Sequence, residues 1–90
     1  MPALGCGPAA LQTVLPNLPK TLEAGIVIVQ HIAAGFTRPL AERLNGLSQI
    51  TVREAQDGEP ITAGVALLSP ADVHLTVERT DGQLIARLSP

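Results

Sequence analysis

Aromatic side chains are almost missing from this chain. Phe36 stands alone, with no Trp and no Tyr. Any core is therefore aliphatic, and the stacking platforms that hold nucleic-acid bases are absent. Cysteine is scarce too: Cys6 has no second thiol to bond, which excludes an internal disulfide and fits a reducing compartment. Charge of one sign is not in excess. Six basic and eight acidic residues give a net charge of −2. That balance argues against a nucleic-acid or anionic-membrane surface, which needs clustered Lys and Arg. No apolar run approaches the roughly 20 residues of a membrane span. The start, Met1-Pro2-Ala3-Leu4-Gly5-Cys6, lacks the charged and apolar regions that precede a lipoprotein processing site.

What is present is 46 % apolar residues in a 90-residue chain, enough for one small domain or part of a larger one. Gly25-Ile26-Val27-Ile28-Val29-Gln30-His31-Ile32 is the most informative stretch. A continuous apolar run opened by Gly reads as a strand buried on both faces, as in a parallel sheet covered by helices. Before it, Pro8 suits a helix opening, and Leu11, Val14, Leu15 and Leu18 recur at helical spacing. Pro16 and Pro19 limit that helix to about three turns. After it, Thr37 reads as an N-cap with Pro39 in the first turn. Phe36, Leu40, Leu44 and Leu47 line one face of the helix that follows, and Asn45-Gly46 helps to end it.

Ile50–Glu54 alternates as a strand, completing a βαβ unit. Asp57-Gly58-Glu59-Pro60 reads as a solvated turn, and Val65–Leu68 as another short strand. Asp81-Gly82, between Val73–Arg79 and Gln83–Leu88, is the strongest hairpin signal in the chain. Pairing Thr80 with Gln83 sets Val77 against Ala86 and Leu75 against Leu88. The expected fold is α/β: a partial three-layer, doubly wound, mainly parallel sheet with a C-terminal antiparallel hairpin, in a single partial domain over residues 1–90.

Parallel sheets place chemistry past the carboxyl ends of their strands. His31 stands there, and His is the side chain best suited to proton transfer near neutral pH. The competing reading is a strand-end His that satisfies a backbone group. No ligand spacing suited to zinc links His31, His74, Cys6 and the carboxylates, so no metal or other cofactor is expected. Ser48, Ser69 and Ser89 read as turn or helix-end residues with no base beside them.

Three segments, in this order, resemble the catalytic domain of the CheB-type protein-glutamate methylesterases of bacterial chemotaxis. Gly7-Pro8-Ala9-Ala10-Leu11 resembles the end of that family's nucleophile loop, Gly-x-Ser-Thr-Gly-Gly-Pro-x-Ala-Leu. Val27-Ile28-Val29-Gln30-His31-Ile32, Gly35-Phe36-Thr37 and Leu40-Ala41-Glu42-Arg43-Leu44 are similar to its Val-Val-Gln-His-Met, Gly-Phe-Thr and Leu-Ala-Glu-Arg-Leu. Glu54–Pro60, Gly64, Pro70 and His74-Leu75 look like its acidic turn, short strand and hairpin entry.

The resemblance implies a carboxylic ester hydrolase of Ser-His-Asp type that acts on methyl-accepting chemotaxis receptors in the cytoplasm. It puts His31 at the base position and Gly5 and Gly7 in the oxyanion loop. It also puts Leu4 in the nucleophile slot, where a side chain without a hydroxyl or thiol cannot attack an ester. The triad acid belongs to a later part of the family domain, past Pro90, and the strand before the loop is expected ahead of Met1. Cys6 is the one substitute nucleophile, in a Gly-flanked loop at a helix start, but it lies two residues past the Ser slot. The expectation is an inactive chain that forms a homo-oligomer or needs a partner chain. The alternative to the esterase reading is a non-catalytic interaction or structural module.

Overall fold

The computed structural model describes residues 12–29 and 34–90. Residues 12–14 are helical and run into a 3-10 turn, Leu15–Asn17, where Pro16 supplies a fixed φ in the first turn. The start of the expected first helix lies outside the described residues. Next come β1 (Ile26–Ile28), α1 (Thr37–Leu47), β2 (Thr51–Glu54) and β3 (Val65–Leu68). The hairpin strands β4 (His74–Thr80) and β5 (Gln83–Ser89) complete the fold.

β1, β2 and β3 form one parallel sheet in the order β1-β3-β2. The strands before and after α1 run in the same direction but are not neighbours. β3, the last to enter, fills the gap between them. Its side chains alternate between two cores, as the pleat requires. Ala66 and Leu68 join Ile26, Ile28, Val52 and Ile50 on the face covered by α1 and Leu15. Leu67 points to the opposite face and packs with Ala55 and Ala86 beneath the hairpin.

The helix departs from its expected pattern at both ends. Phe36, not Thr37, is the cap residue, and no side chain caps the helix. Thr37 is the first helical residue, with its Oγ1 buried and unpartnered among the described residues. Gly46 does not stop the helix, which continues to Leu47. The packing face is Leu40, Ala41 and Leu44. Phe36 and Leu47 are 65 % and 50 % exposed and do not belong to it. Ala41 supplies what they do not, letting α1 lie close on the sheet.

The hairpin has the expected register, with Thr80 opposite Gln83, Val77 opposite Ala86 and Leu75 opposite Leu88. Asp81 (φ 52°) and Gly82 (φ 79°) both take positive φ, the signature of a type I′ turn that matches strand twist. Glycine is required differently at Gly25. A Cβ there would come within 2.5 Å of Ile61 and 2.9 Å of the Thr62 carbonyl oxygen, so only a hydrogen fits where β1 meets the loop before β3.

The acidic turn is exposed at Asp57, Gly58 and Pro60, as a solvated turn is, but it also bonds to the hairpin and the sheet. Asp57 Oδ1 accepts the Leu88 N–H at 2.8 Å, and Gly58 N–H donates to Ala86 O at 2.8 Å. Ala86 N–H donates to Glu59 O at 2.8 Å, and Ile61 N–H to Leu84 O at 2.9 Å. Glu59 pairs with Arg53 on β2 and accepts the Gln56 N–H. The turn thus ties the hairpin to the parallel sheet.

Two measurements check this packing. Leu44 is fully buried, so Leu44→Ala lowers unfolding stability by about 2–5 kcal/mol in urea titrations. Leu47→Ala changes it by less than about 0.5 kcal/mol. Equal losses would mean that α1 packs on a different face. In native-state hydrogen exchange, Asp57→Ala accelerates the Leu88 amide while leaving the Val52 amide unchanged, because Val52 N–H is held by Asn45 instead.

Candidate functional site

The strand register makes the carboxyl edge of the sheet level. Leu68 on β3 is the partner of Ile28 on β1 and of Glu54 on β2. Ser69 N–H donates to Ile28 O at 2.9 Å, and Ala55 N–H to Leu68 O at 2.8 Å, closing the ladders one residue beyond the strands. The chain leaves β1 at Val29, which is 59 % exposed, and its description resumes at Ala34 before α1. The flanks of Gln30-His31 therefore stand at the carboxyl edge of a parallel sheet, where this class of fold concentrates its chemistry.

His31 itself lies outside the described residues, as do Leu4, Gly5, Cys6 and Gly7. What the structure supplies is the frame around them. Gly35 takes φ +90°, a backbone state that glycine adopts without strain, and turns the chain into α1. Phe36 is exposed beside it, and Thr37 presents its buried hydroxyl at the helix start.

The remaining candidates sort by their partners. Ser69 is 3 % exposed, and its Oγ lies 3.3 Å from Pro70 O, so its hydroxyl is spent on its own turn. Ser48 Oγ is buried at the end of α1 with no partner among the described residues. Ser89 is the exposed last residue of β5. Ser48 and Ser69 meet no base among the described residues, whereas Ser89 is the cross-strand partner of His74, with no side-chain hydrogen bond joining the two. His74 is exposed at the start of β4. Glu54 is level with Ile28 but separated from β1 by β3, about 10 Å at ordinary strand spacing.

A groove of about 390 Å³ separates α1 from β2. Arg38 and Arg53 line it, yet Arg38 lies 3.6 Å from Glu42, and Arg53 pairs with Glu59. Its cations are thus neutralised locally. At its base Asn45 Oδ1 accepts the Val52 N–H at 2.9 Å. Helical periodicity does not reveal this bond, because it joins a polar helix residue to a strand edge seven positions on. The only local hint is a polar residue one turn before a strand that lacks a second neighbour.

The family model for CheB methylesterase matches residues 4–90. The chain is 52 % identical over 81 residues to the protein-glutamate methylesterase/protein-glutamine glutaminase of Geobacillus kaustophilus, covering 90 % of this chain and 23 % of that protein. It is 51 % identical over 83 residues to the protein of the same name from Halalkalibacterium halodurans, covering 92 % and 24 %. The chain thus spans about a quarter of these curated relatives. The crystal structure of the Thermotoga maritima CheB methylesterase catalytic domain superposes with a TM-score of 0.89 at 43 % identity, over 92 % of this chain and 44 % of that one. That likeness includes the parallel sheet and the antiparallel hairpin derived above. The chain belongs to the CheB methylesterase family.

Proposed function

We propose that this chain is a segment of a chemotaxis receptor methylesterase domain that holds the base position of the triad and does not hydrolyse esters by itself. The observation that supports this reading is the family match over residues 4–90, and likeness of Gly7-Pro8 to the family's Gly-Pro element is what assigns Leu4 to the nucleophile slot. In the whole domain a Ser attacks the ester carbonyl, while the His takes the hydroxyl proton and returns it to the leaving methanol. Backbone N–H groups of the Gly-rich loop hold the developing oxyanion. His31 takes the base role, and Gly5 and Gly7 shape that loop. The relatives' second named activity fits the same machinery, because a glutamine amide and a glutamate methyl ester are both acyl groups opened to water. Within residues 1–90 only the base position is filled by a residue able to play its part.

The working setting is the cytoplasm, in keeping with one unpaired cysteine and with receptors whose methylated glutamates would be the substrate. No helix among the described residues is long and apolar enough to cross a membrane. Self-association accompanies this reading. Val29, Phe36 and Val77 are each more than half exposed, and exposed apolar side chains near open strand edges favour contact with another chain.

Two measurements test the proposal. Purified chain mixed with methylated receptor releases no methanol above the buffer rate, and His31→Ala changes nothing. Turnover that His31→Ala abolishes would overturn the inactive reading and return Cys6 to consideration. Sedimentation velocity at micromolar concentration shows a species heavier than a monomer.

A further inference from the structure

Each strand that borders open space in this fold has an identifiable outer edge. At β2, the outward Val52 N–H is taken by Asn45. At β5, the Leu84 C=O, both groups of Ala86 and the Leu88 N–H are taken by residues 57–61. β4 differs. The two-residue turn makes Thr80 and Gln83 a hydrogen-bonded pair, and the antiparallel ladder alternates from there. Leu75, Val77 and Arg79 therefore point their backbone N–H and C=O groups away from β5. None of these groups has a backbone partner among the described residues. The edge is seven residues long, with no proline or bulge to interrupt it. Such an edge is a template for another strand.

We propose that the outer edge of β4 docks a second copy of this chain, strand against strand and antiparallel, with Val77 on the two-fold axis. The proposal deepens the self-association reading by naming its surface. A two-fold axis perpendicular to the sheet can centre on any residue of β4, and the three centres nearest its middle are Thr76, Val77 and Glu78. Centring on Glu78 sets two carboxylates face to face, which is repulsive. Centring on Thr76 leaves Arg79 opposite a residue outside the strand. Centring on Val77 aligns all seven residues and makes three reciprocal pairs, about six backbone hydrogen bonds. Val77, 51 % exposed, then meets Val77 of the second copy. The aliphatic stem of Arg79 covers Leu75, and Glu78 faces Thr76. No like charges oppose. Glu78 also keeps its intrachain partner Arg87, 3.4 Å away. A closed two-fold pair uses up the edge on both copies, so growth stops at the dimer.

The test is sedimentation equilibrium of the chain and two variants. Val77→Lys places two ammonium groups on the axis. Val77→Pro removes the N–H that points outward, a substitution an edge strand tolerates because that N–H makes no bond to β5. Circular dichroism confirms that each variant keeps the wild-type fold. The expected result is a wild-type dimer and dimerisation about tenfold weaker or worse in both variants. In a Cys6→Ser background, Val77→Cys gives a disulfide-linked dimer on mild oxidation. A wild-type dimer indifferent to both variants overturns the β4 interface and leaves self-association standing. A monomeric wild type overturns both.

Discussion

β3 is the constraint on which the rest depends. Among the described strands it is the one with a strand on each side, and Ala66, Leu67 and Leu68 are completely buried. β1 and β2 touch each other only through it. Its alternating side chains feed both cores, so a one-residue slip would exchange the helix-facing and hairpin-facing sets together. The same register makes Ile28, Leu68 and Glu54 level and lets Ser69 tie off the end of β1. The position from which the chain departs toward His31 is thus fixed by a strand almost forty residues later in sequence. This is a non-local arrangement, because the β1-to-β2 unit leaves a gap that only β3 can fill.

The acidic turn shows how charge can mislead when read locally. Asp57 and Glu59 sit among Gly and Pro, which is the composition of a solvated loop. Their carboxylates nevertheless act as struts, one to the Leu88 amide and one to Arg53. A hydrogen bond spanning 31 positions leaves no trace in a window of ten residues. The turn also protects β5, whose outward groups would otherwise be bare. One carboxylate oxygen of Asp57 and both of Glu59 are committed in this way.

Features with a local cause were legible in the sequence. Branched aliphatic runs gave β1 and β3, alternation gave β2, and Asp81-Gly82 gave both the hairpin and its register. Features decided by distant partners were not. Strand order depends on which strand fills the middle. Thr37 has the side chain of a cap, yet tertiary packing draws it into the first turn. Leu47 has the right spacing for the core, yet the sheet ends before reaching it. At the site, the apolar run reads as a strand over Gly25–Ile32 with His31 at its end; the described strand stops at Ile28, and His31 lies outside the described residues. The loop of Leu4, Gly5, Cys6 and Gly7 rests on motif likeness alone, because the described frame holds neither end of it.

The residues that hold the described fold together are not ones that carry ester chemistry. The family fold requires Leu44, Ala66, Leu67 and Leu68 to be buried, Gly25 to have no side chain and Asp81-Gly82 to turn. None of these carries a proton or attacks a carbonyl. Ester hydrolysis requires a nucleophile, a base and an acid. High identity and close superposition measure the first set of residues. Activity is decided by the second, which is why likeness of fold and capacity for catalysis must be argued from different atoms.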